Sequence, residues 1–340
     1  MTELTQLRKP YLLFLGDAEK EIDAKTAAGI AYWRPDHCLG QMRLEEKTVS
    51  LGLTDMSVEE AAAAGAGTFV IGLAPLGGNL PENWISICVE VLEAGMDIAS
   101  GLHTQVDKIP DIAAAAKRSG SRIVNVRKPP ENLPCGTGRK RSGRRLLSVG
   151  TDCCVGKMYT TLAIDAELRQ RGIKSTFRAT GQTGILIQGS GVPVDAVVSD
   201  FISGAVEVLS PDNAPDHWDV IEGQGSLFHP AYAGVSLGLL HGAQADALVL
   251  CHELGRLTID GDYADFPIPA LEEAIATNLG LARLTNKDVK LLGISVNSSN
   301  LDEHLAKQIM AELEDTHKVP VVDPVRTGVA KLVDCMEKMS

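Results

Sequence analysis

The sequence is poor in aromatic residues, with only 3 Trp, 5 Tyr and 6 Phe among 340 residues. This scarcity disfavours an aromatic-rich β-sandwich, whereas the 33 glycines suit tight turns and close packing of helices on a sheet. The hydrophobic share of 44% and the charged share of 22% are typical of a globular protein with a substantial core. The length is sufficient for two domains of ordinary size.

The chain also lacks long apolar runs and an excess of basic residues. No run reaches the roughly 20 apolar residues that span a bilayer, and residues 1–10 are polar, without the apolar core of a signal peptide. Lys and Arg number 32 against 44 Asp and Glu, so the net charge is −12. Because an acidic chain repels nucleic acid and anionic lipid, we expect neither as a partner.

Cysteine spacing of the kind that binds metal is missing as well. The seven cysteines are odd in number and include no CxxC pair. We therefore expect no metal site, and thiols kept reduced in the cytoplasm. The cysteines are Cys38, Cys88, Cys135, Cys153, Cys154, Cys251 and Cys335.

Short apolar segments alternate with helical patterns over residues 1–128. Ser57 and Glu60 form a capping box, which predicts the start of a helix. Alternation of this kind implies an α/β fold with helices on the faces of a parallel sheet. We therefore predict a Rossmann-like N-terminal domain over residues 1–128. The predicted strands are residues 11–15, 69–73, 97–100 and 122–126.

The composition changes over residues 128–145, which contain three prolines, three glycines and six Lys or Arg. Such a segment, with hardly an apolar residue, is typical of an exposed linker between domains. We assign residues 129–145 to this linker. Its basic clusters are suited to contact with a phosphate, but we expect a solvated charged segment.

The alternation of strands and helices resumes from residue 146 and continues to residue 340. We predict a P-loop NTPase-like domain with a mainly parallel sheet over residues 146–340, and an active site in the cleft between the two domains. The predicted strands are residues 146–148, 175–178, 220–221, 247–251 and 291–296.

The central signal is a glycine-bounded loop between an apolar strand and a helical pattern. Glycines let the backbone approach a phosphate closely, and the loop N–H groups and the helix N-terminus attract an anion. A lysine in the loop adds a full positive charge. We predict that this P-loop binds the phosphates of a ligand through Gly150, Thr151, Asp152, Cys153, Cys154, Val155, Gly156 and Lys157.

The spacing of this loop departs from the commonest P-loop pattern. Five residues, not four, separate Gly150 from Gly156, and Met158 follows Lys157 in place of Ser or Thr. The spacing and the Gly-Thr-Asp opening resemble those of dethiobiotin synthetases. Because a thioether is a poor ligand for Mg²⁺, we expect phosphate binding and disfavour Mg²⁺-dependent phosphoryl transfer.

Three further polar residues follow apolar runs in the second half. Glu222, in a Glu-Gly-Gln-Gly turn similar to one in dethiobiotin synthetases, is a candidate for orienting a water, acting as a general base or holding a metal ion, and fixing the loop is the alternative. Asp200 is a candidate general base or the cap of the next helix. Asn297 is placed like the base-contacting Asn of related nucleotide enzymes.

Four cations are candidates for binding substrate carboxylates, because guanidinium and ammonium groups pair well with carboxylates. Lys25 and Arg34 follow the first predicted strand, Arg178 ends a strand of the second half, and Arg326 lies in an Asp-Pro-Val-Arg segment. Ordinary surface ion pairing is the alternative for Lys25, Arg34 and Arg326.

His229 and His252 titrate near neutrality and are possible acid–base groups. No catalytic partner is evident in their segments, so we expect structural roles. Cys153 and Cys154 lie at a helix N-terminus, which lowers a thiol pKa. We expect them to be small residues that a tight loop tolerates.

Several segments together resemble one family over nearly the full length. This is the P-loop family, long uncharacterised, that includes the D-glutamate N-acetyltransferases of D-glutamate catabolism. The segments that carry the resemblance are Asp23-Ala24-Lys25-Thr26-Ala27, Trp33-Arg34-Pro35, the Gly-Gly loop of residues 75–81, Ser100-Gly101-Leu102-His103, residues 150–157, Glu222-Gly223-Gln224-Gly225-Ser226 and Asp323-Pro324-Val325-Arg326.

The resemblance implies acetyl transfer from acetyl-CoA to the amino group of D-glutamate, with the P-loop holding the CoA phosphates. It also makes a small amino acid the expected substrate. An ATP-dependent ligase or kinase of the dethiobiotin-synthetase type is the alternative, and a non-enzymatic nucleotide sensor is a third class. A homo-oligomer, as a dimer, is expected from the frequency of such assemblies.

Overall fold

A computed structural model describes residues 7–20, 23–73 and 79–339. The predicted Gly-Gly loop therefore lies largely outside the described residues. Contacts divide the chain into two compact units. The first extends to Pro130 and includes Gly181–Ala196, and the second contains Glu131–Thr180 and the chain from Val197 onward.

The first unit contains a parallel sheet whose strand order is β2-β1-β3-β4-β5. Its strands are β1 (Tyr11–Gly16), β2 (Cys38–Arg43), β3 (Thr68–Ile71), β4 (Asp97–Ser100) and β5 (Ile123–Asn125). The helices between them are α1 (Lys25–Trp33), α2 (Val58–Ala63), α3 (Ile85–Glu93) and α4 (Pro110–Ser119). The predicted parallel α/β arrangement of this half is confirmed.

Continuous burial explains why most of these strands were predictable. All six residues of β1 are buried, as expected of a strand covered on both faces. The rings of Phe14 and Trp84 meet edge to face with centroids 4.9 Å apart, which joins β1 to the start of α3. The capping box of Ser57 and Glu60 is confirmed at the start of α2.

The second unit contains a parallel sheet with the order β11-β10-β9-β6-β8-β7. Its strands are β6 (Arg144–Gly150), β7 (Ser175–Arg178), β8 (Trp218–Ile221), β9 (Ala247–Glu253), β10 (Lys290–Asn297) and β11 (Val321–Val322). The helices from here to the end of the chain are α5 (Lys157–Gln170), α6 (Gln182–Gln188), α7 (Ile202–Leu209), α8 (Ala233–Ala243), α9 (Leu271–Ala282), α10 (Glu303–His317) and α11 (Ala330–Lys338).

One segment departs from the predicted division of the chain. Residues 146–340 were assigned to a single domain, but Gly181–Ala196, which contains α6, groups with the first unit. Within that unit the Thr183 hydroxyl donates to the Thr26 hydroxyl of α1 at 3.1 Å. Three consecutive apolar residues of α6, Ile185 to Ile187, are buried, so the segment contributes to the packing of the first unit.

The prediction of a solvated linker over residues 129–145 is wrong at its C-terminal end. Arg144 and Arg145 belong to β6, and Arg145 is fully buried. Its guanidinium donates to the Ser210 hydroxyl and to backbone carbonyls that include Pro211 O. Lys140 pairs with Asp246 at 2.6 Å. The basic residues therefore attach this segment to the second unit, because a buried guanidinium must satisfy its donors.

In the part of the chain that the structure describes, none of the helices combines the length and the apolar character needed to cross a membrane.

Candidate functional site

The P-loop connects the central strand of the second sheet to a helix, as predicted. β6 ends at Gly150, and α5 begins at Lys157 with Gly156 as its N-cap. Gly156 has a φ of +99°, and Cys154 has a φ of +56°. Such left-handed residues turn successive N–H groups toward one concave side. The loop also lies at the carboxyl edge of a parallel sheet, where ligands of this fold class bind.

Lys157 lies over the interior of the loop. Its side chain is 7% exposed, and Nζ donates to the backbone carbonyl of Asp152 at 2.6 Å. A ligand phosphate can replace this carbonyl as the acceptor, since the ammonium group carries three donors. The helix N-terminus and Lys157 thus both place positive potential in the loop.

The side chain of Asp152 supports the loop from behind. It is fully buried, with Oδ1 accepting from the Cys153 amide at 2.6 Å. Oδ2 accepts from Arg256 Nη1 and from the Asp260 amide, each at 2.8 Å. Arg256 also pairs with Glu253 at the end of β9. Three donors from two segments therefore hold the P-loop against the segment after β9.

The first turn of α5 differs from that of a Mg²⁺-binding P-loop. Met158 occupies the position after Lys157, where a hydroxyl normally coordinates the ion. The Thr160 hydroxyl donates to Gly156 O at 2.9 Å, and the Thr161 hydroxyl donates to Lys157 O at 2.9 Å. Both threonines thus bond to carbonyls of their own helix, and neither takes the place of the missing hydroxyl.

The glycine-rich turn after β8 packs directly against the P-loop strand. The Gly223 amide donates to the Ser148 hydroxyl at 2.9 Å. A Cβ atom at position 223 would lie 1.8 Å from Ser148 O and 3.0 Å from Lys157 Cδ. Only glycine fits here without displacing the turn or the strand, because real Cβ atoms do not approach other atoms so closely.

Glu222 is buried beside this turn and is 3% exposed. Its Oε2 accepts from the Thr180 amide at 2.9 Å, and the Thr180 hydroxyl donates to Glu222 O at 2.7 Å. The carboxylate therefore connects the end of β8 to the end of β7. This geometry supports the loop-fixing alternative considered from the sequence.

His252, near the end of β9, contacts the P-loop through Thr151. The Thr151 hydroxyl and His252 Nδ1 are 3.0 Å apart. Burial, with the nearby charge of Arg256, lowers the pKa of His252 to about 4. The imidazole is therefore neutral at physiological pH and acts as a hydrogen-bonding partner for Thr151, consistent with the structural role expected from the sequence.

Among the described residues, Asp152, Cys153 and His229 bring one potential metal-ligand atom each to within 4.8 Å of one another. Their hydrogen bonds fit poorly with a cation. His229 Nδ1 accepts from the Ala231 amide at 3.1 Å, so the neutral ring carries its proton on Nε2. The Asp152 oxygens already accept three N–H bonds. The group is therefore better explained as part of the loop framework.

Arg178 was predicted to bind substrate, but the structure pairs it with a buried carboxylate. Arg178 is 7% exposed, and its Nε and Nη2 each lie 2.9 Å from Asp219 Oδ1. Asp219 also accepts from the Ser210 hydroxyl at 2.6 Å. The ion pair joins β7 to β8, so this guanidinium has a structural partner that the local sequence did not reveal.

Two predicted residues lie at the β10–β11 side of the same sheet edge. Asn297 ends β10, and its Oδ1 accepts from the Ser299 amide at 3.1 Å. Arg326 donates from Nη2 to Leu301 O at 3.0 Å, and its amide donates to Asp323. Asp323 is buried and organises the turn that carries Arg326.

Three predicted residues remain exposed or partly exposed. Asp200 is exposed in a 3₁₀ turn, Ser199–Phe201, and α7 begins with Phe201 as a cap that makes no side-chain hydrogen bond. The helix-cap alternative for Asp200 is therefore wrong. Lys25 is exposed at the start of α1, and Arg34 follows α1 and donates to Trp33 O at 2.7 Å. Both belong to the first unit.

Comparison with family models assigns both halves of the chain. Residues 43–129 match a Rossmann-like domain of unknown function, DUF1611_N, and residues 134–333 match the P-loop domain DUF1611_C. The chain belongs to the DUF1611 family. The predicted Rossmann-like and P-loop domain types are thereby confirmed.

Similar proteins extend this assignment over nearly the full length. The chain is 53% identical to a D-glutamate N-acetyltransferase from Tritonibacter scottomollicae, over 97% of this chain and 99% of that protein. It is 48% identical to a D-glutamate N-acetyltransferase from a Pseudoalteromonas species, over 96% and 98%. A crystal structure of a DUF1611 protein from Anabaena variabilis matches with 34% identity and a TM-score of 0.88, over 97% of this chain and 100% of that one.

The close approach of Gly223 to Ser148 leaves no room for a side chain at position 223. Gly223→Ala should therefore lower the free energy of unfolding by about 1–3 kcal/mol, the usual cost of overpacking a tight site. Gly234→Ala is the matched control, because a Cβ atom at that position of α8 would meet nothing within 4 Å. Its stability should be unchanged or higher by up to about 1 kcal/mol. Urea unfolding of the two variants tests the account, and equal stabilities would contradict it.

Proposed function

We propose that the protein transfers the acetyl group of acetyl-CoA to the amino group of D-glutamate. The observation that carries the proposal is full-length identity of 53% and 48% to two proteins of that name. The similarity covers both domain types and is not confined to the P-loop half. A shared activity is the simplest reason for such extended likeness.

The P-loop is proposed to hold the phosphates of CoA. CoA carries a diphosphate and a 3′-phosphate, both of which suit a loop of N–H donors with a buried lysine. Transfer of an acetyl group breaks no phosphate bond, so a metal ion to stabilise a phosphoryl transition state is not required. Met158 at the position of the Mg²⁺-binding hydroxyl is compatible with this use of the loop.

The chemistry requires a neutral amine and stabilisation of an oxyanion. The amine nitrogen attacks the thioester carbonyl carbon, the carbon–sulfur bond breaks, and the departing CoA thiolate takes up the proton released by the amine. Glutamate also brings two carboxylates, for which we propose Lys25, Arg34 and Arg326 as partners. Arg178, paired with Asp219, is proposed to have a structural role that joins β7 to β8.

We propose Asp200 and Glu222 as alternative general bases, and their surroundings differ. Glu222→Gln replaces the buried carboxylate that accepts from Thr180 with a neutral amide, so it should lower both kcat and the free energy of unfolding. Asp200 is exposed, so Asp200→Asn should leave stability within about 0.5 kcal/mol, and with Asp200 as the base it should reduce kcat roughly 100-fold. Kinetics and urea unfolding of both variants decide. Wild-type kcat for Asp200→Asn excludes Asp200.

We also propose that the enzyme is cytoplasmic and forms a homodimer. The odd number of cysteines without metal-like or paired spacing supports a reducing compartment. Symmetric dimers are the commonest assemblies of soluble enzymes. Light scattering tests the assembly, since a dimer has twice the chain mass of 36.2 kDa.

A thiol-release assay tests the activity directly. Purified protein is mixed with acetyl-CoA and with D-glutamate, L-glutamate or no amino acid, with and without Mg²⁺. We expect free CoA to appear with D-glutamate only, at the same rate when EDTA replaces Mg²⁺. Failure to release thiol with any amino acid would overturn the proposal, and Mg²⁺-dependent ATP hydrolysis would then support a ligase or kinase.

A further inference from the structure

Four aromatic side chains form a cluster in the second unit. The cluster consists of His229, Tyr232, Tyr263 and Phe266. The His229 ring lies 4.4 Å from that of Tyr232 and 4.7 Å from that of Tyr263, and the Tyr263 and Phe266 rings are 6.4 Å apart. His229 is buried, whereas Tyr232 is 49% and Phe266 is 47% exposed. The cluster thus presents apolar surface to solvent.

The aromatic cluster adjoins the P-loop. Its first two members follow β8 and its last two follow β9, and β6 lies between these strands in the sheet. One nitrogen of His229 lies within 4.8 Å of both an Asp152 carboxylate oxygen and the Cys153 sulfur. The two segments therefore flank the phosphate-binding loop, and the ring contact between His229 and Tyr263 connects them.

The backbone around the cluster is held in place on both sides. Gly225, with a φ of +61°, allows Tyr232 to pack against the glycine turn, because a Cβ atom there would lie 3.0 Å from Tyr232 Cβ. On the other side, the Ile259 amide donates to Phe266 O at 2.9 Å, and the Asp260 amide donates to Asp152. The backbone that carries the exposed rings is thus held in place beside the P-loop.

We propose that the aromatic cluster binds the pantetheine arm of acyl-CoA, an inference that rests on the proposed function. The diphosphate of an acyl-CoA joins the adenosine on one side to the pantetheine on the other. Asn297, the proposed contact for the base, ends β10, on the β9 side of the P-loop strand. The pantetheine then leaves the loop toward the segment of His229 and Tyr232 after β8, to which the ring contact with His229 also brings Tyr263 and its neighbour Phe266.

The chemistry of the arm matches that of the aromatic cluster. Pantetheine alternates short aliphatic segments with two amides, so it combines apolar contact surface with hydrogen-bonding groups. Tyrosine rings supply an apolar face and a hydroxyl at one end. The half-exposed rings of Tyr232 and Phe266 become more buried when the arm covers them, which favours binding by the hydrophobic effect.

Calorimetric titration of two ligands tests the proposal. CoA contains the arm, whereas 3′-phosphoadenosine 5′-diphosphate is the nucleotide part of CoA without it. Tyr232→Ala and Phe266→Ala should each raise the Kd for CoA about 10-fold, which corresponds to about 1.4 kcal/mol. The Kd for the nucleotide part should stay within about 2-fold of the wild-type value, which is well under 1 kcal/mol.

Leu284→Ala serves as a matched control. Leu284 is 71% exposed and lies between α9 and β10, before the strand begins, and hence at the opposite edge of the sheet. Its removal should change neither Kd. Thermal unfolding of each variant shows whether the fold is retained.

The possible outcomes separate this inference from the proposed function. If wild-type protein binds CoA and the aromatic variants leave its Kd unchanged, the pantetheine subsite is overturned while the CoA site stands. Equal weakening of both ligands would also overturn it, because the cluster would then act on the nucleotide or on the loop itself. If wild-type protein binds neither ligand, the P-loop is not a CoA site and both proposals fail.

Discussion

The site depends on the hydrogen bonds that the buried carboxylate of Asp152 accepts. A loop that binds phosphates must keep several N–H groups pointing to one side, and an isolated loop of this length has many other backbone conformations. Asp152 restricts these conformations because it accepts from the Cys153 amide, from Arg256 and from the Asp260 amide. A carboxylate in a dry site gains most from such fully satisfied donors. These hydrogen bonds fix the P-loop to the segment after β9.

The rest of the site follows from the order of strands around β6. Since β8 and β9 flank β6 in a parallel sheet, the segments that follow them reach the P-loop from both sides. The Gly223 turn comes close enough to contact Ser148 and Lys157, and His252 reaches Thr151. The hydroxyl that would hold Mg²⁺ is replaced by Met158. The loop geometry and Met158 are compatible with the proposed binding of the CoA phosphates without a metal ion.

Local patterns predicted the features that depend on neighbouring residues. The buried strands of both sheets were identifiable because parallel strands are apolar along their length, and the P-loop was identifiable from its glycines and lysine. β2 was missed because its sequence, Cys-Leu-Gly-Gln-Met-Arg, has no continuous apolar run and its ends are only partly buried. β11 has two residues and leaves almost no pattern.

Local sequence patterns could not predict contacts between residues that are far apart in the chain. Arg256 and Asp152 are 104 residues apart, and nothing near either predicts their pairing. The same applies to Arg178 and Asp219, and to Arg145, whose charge indicated an exposed linker although its partners bury it. The packing of Gly181–Ala196 with the first unit likewise depends on tertiary contacts. Charged residues are thus the least predictable part of this site, because burial with a partner reverses their usual preference for solvent.

The P-loop is proposed to bind acyl-CoA and not ATP. The most direct test is calorimetric titration of the wild-type protein and of Lys157→Ala with CoA in EDTA and with ATP in Mg²⁺. We predict that CoA binds the wild type without metal, that Lys157→Ala weakens this binding at least about 10-fold, and that ATP binds more weakly than CoA. Tight Mg²⁺-dependent binding of ATP together with no binding of CoA would contradict the account.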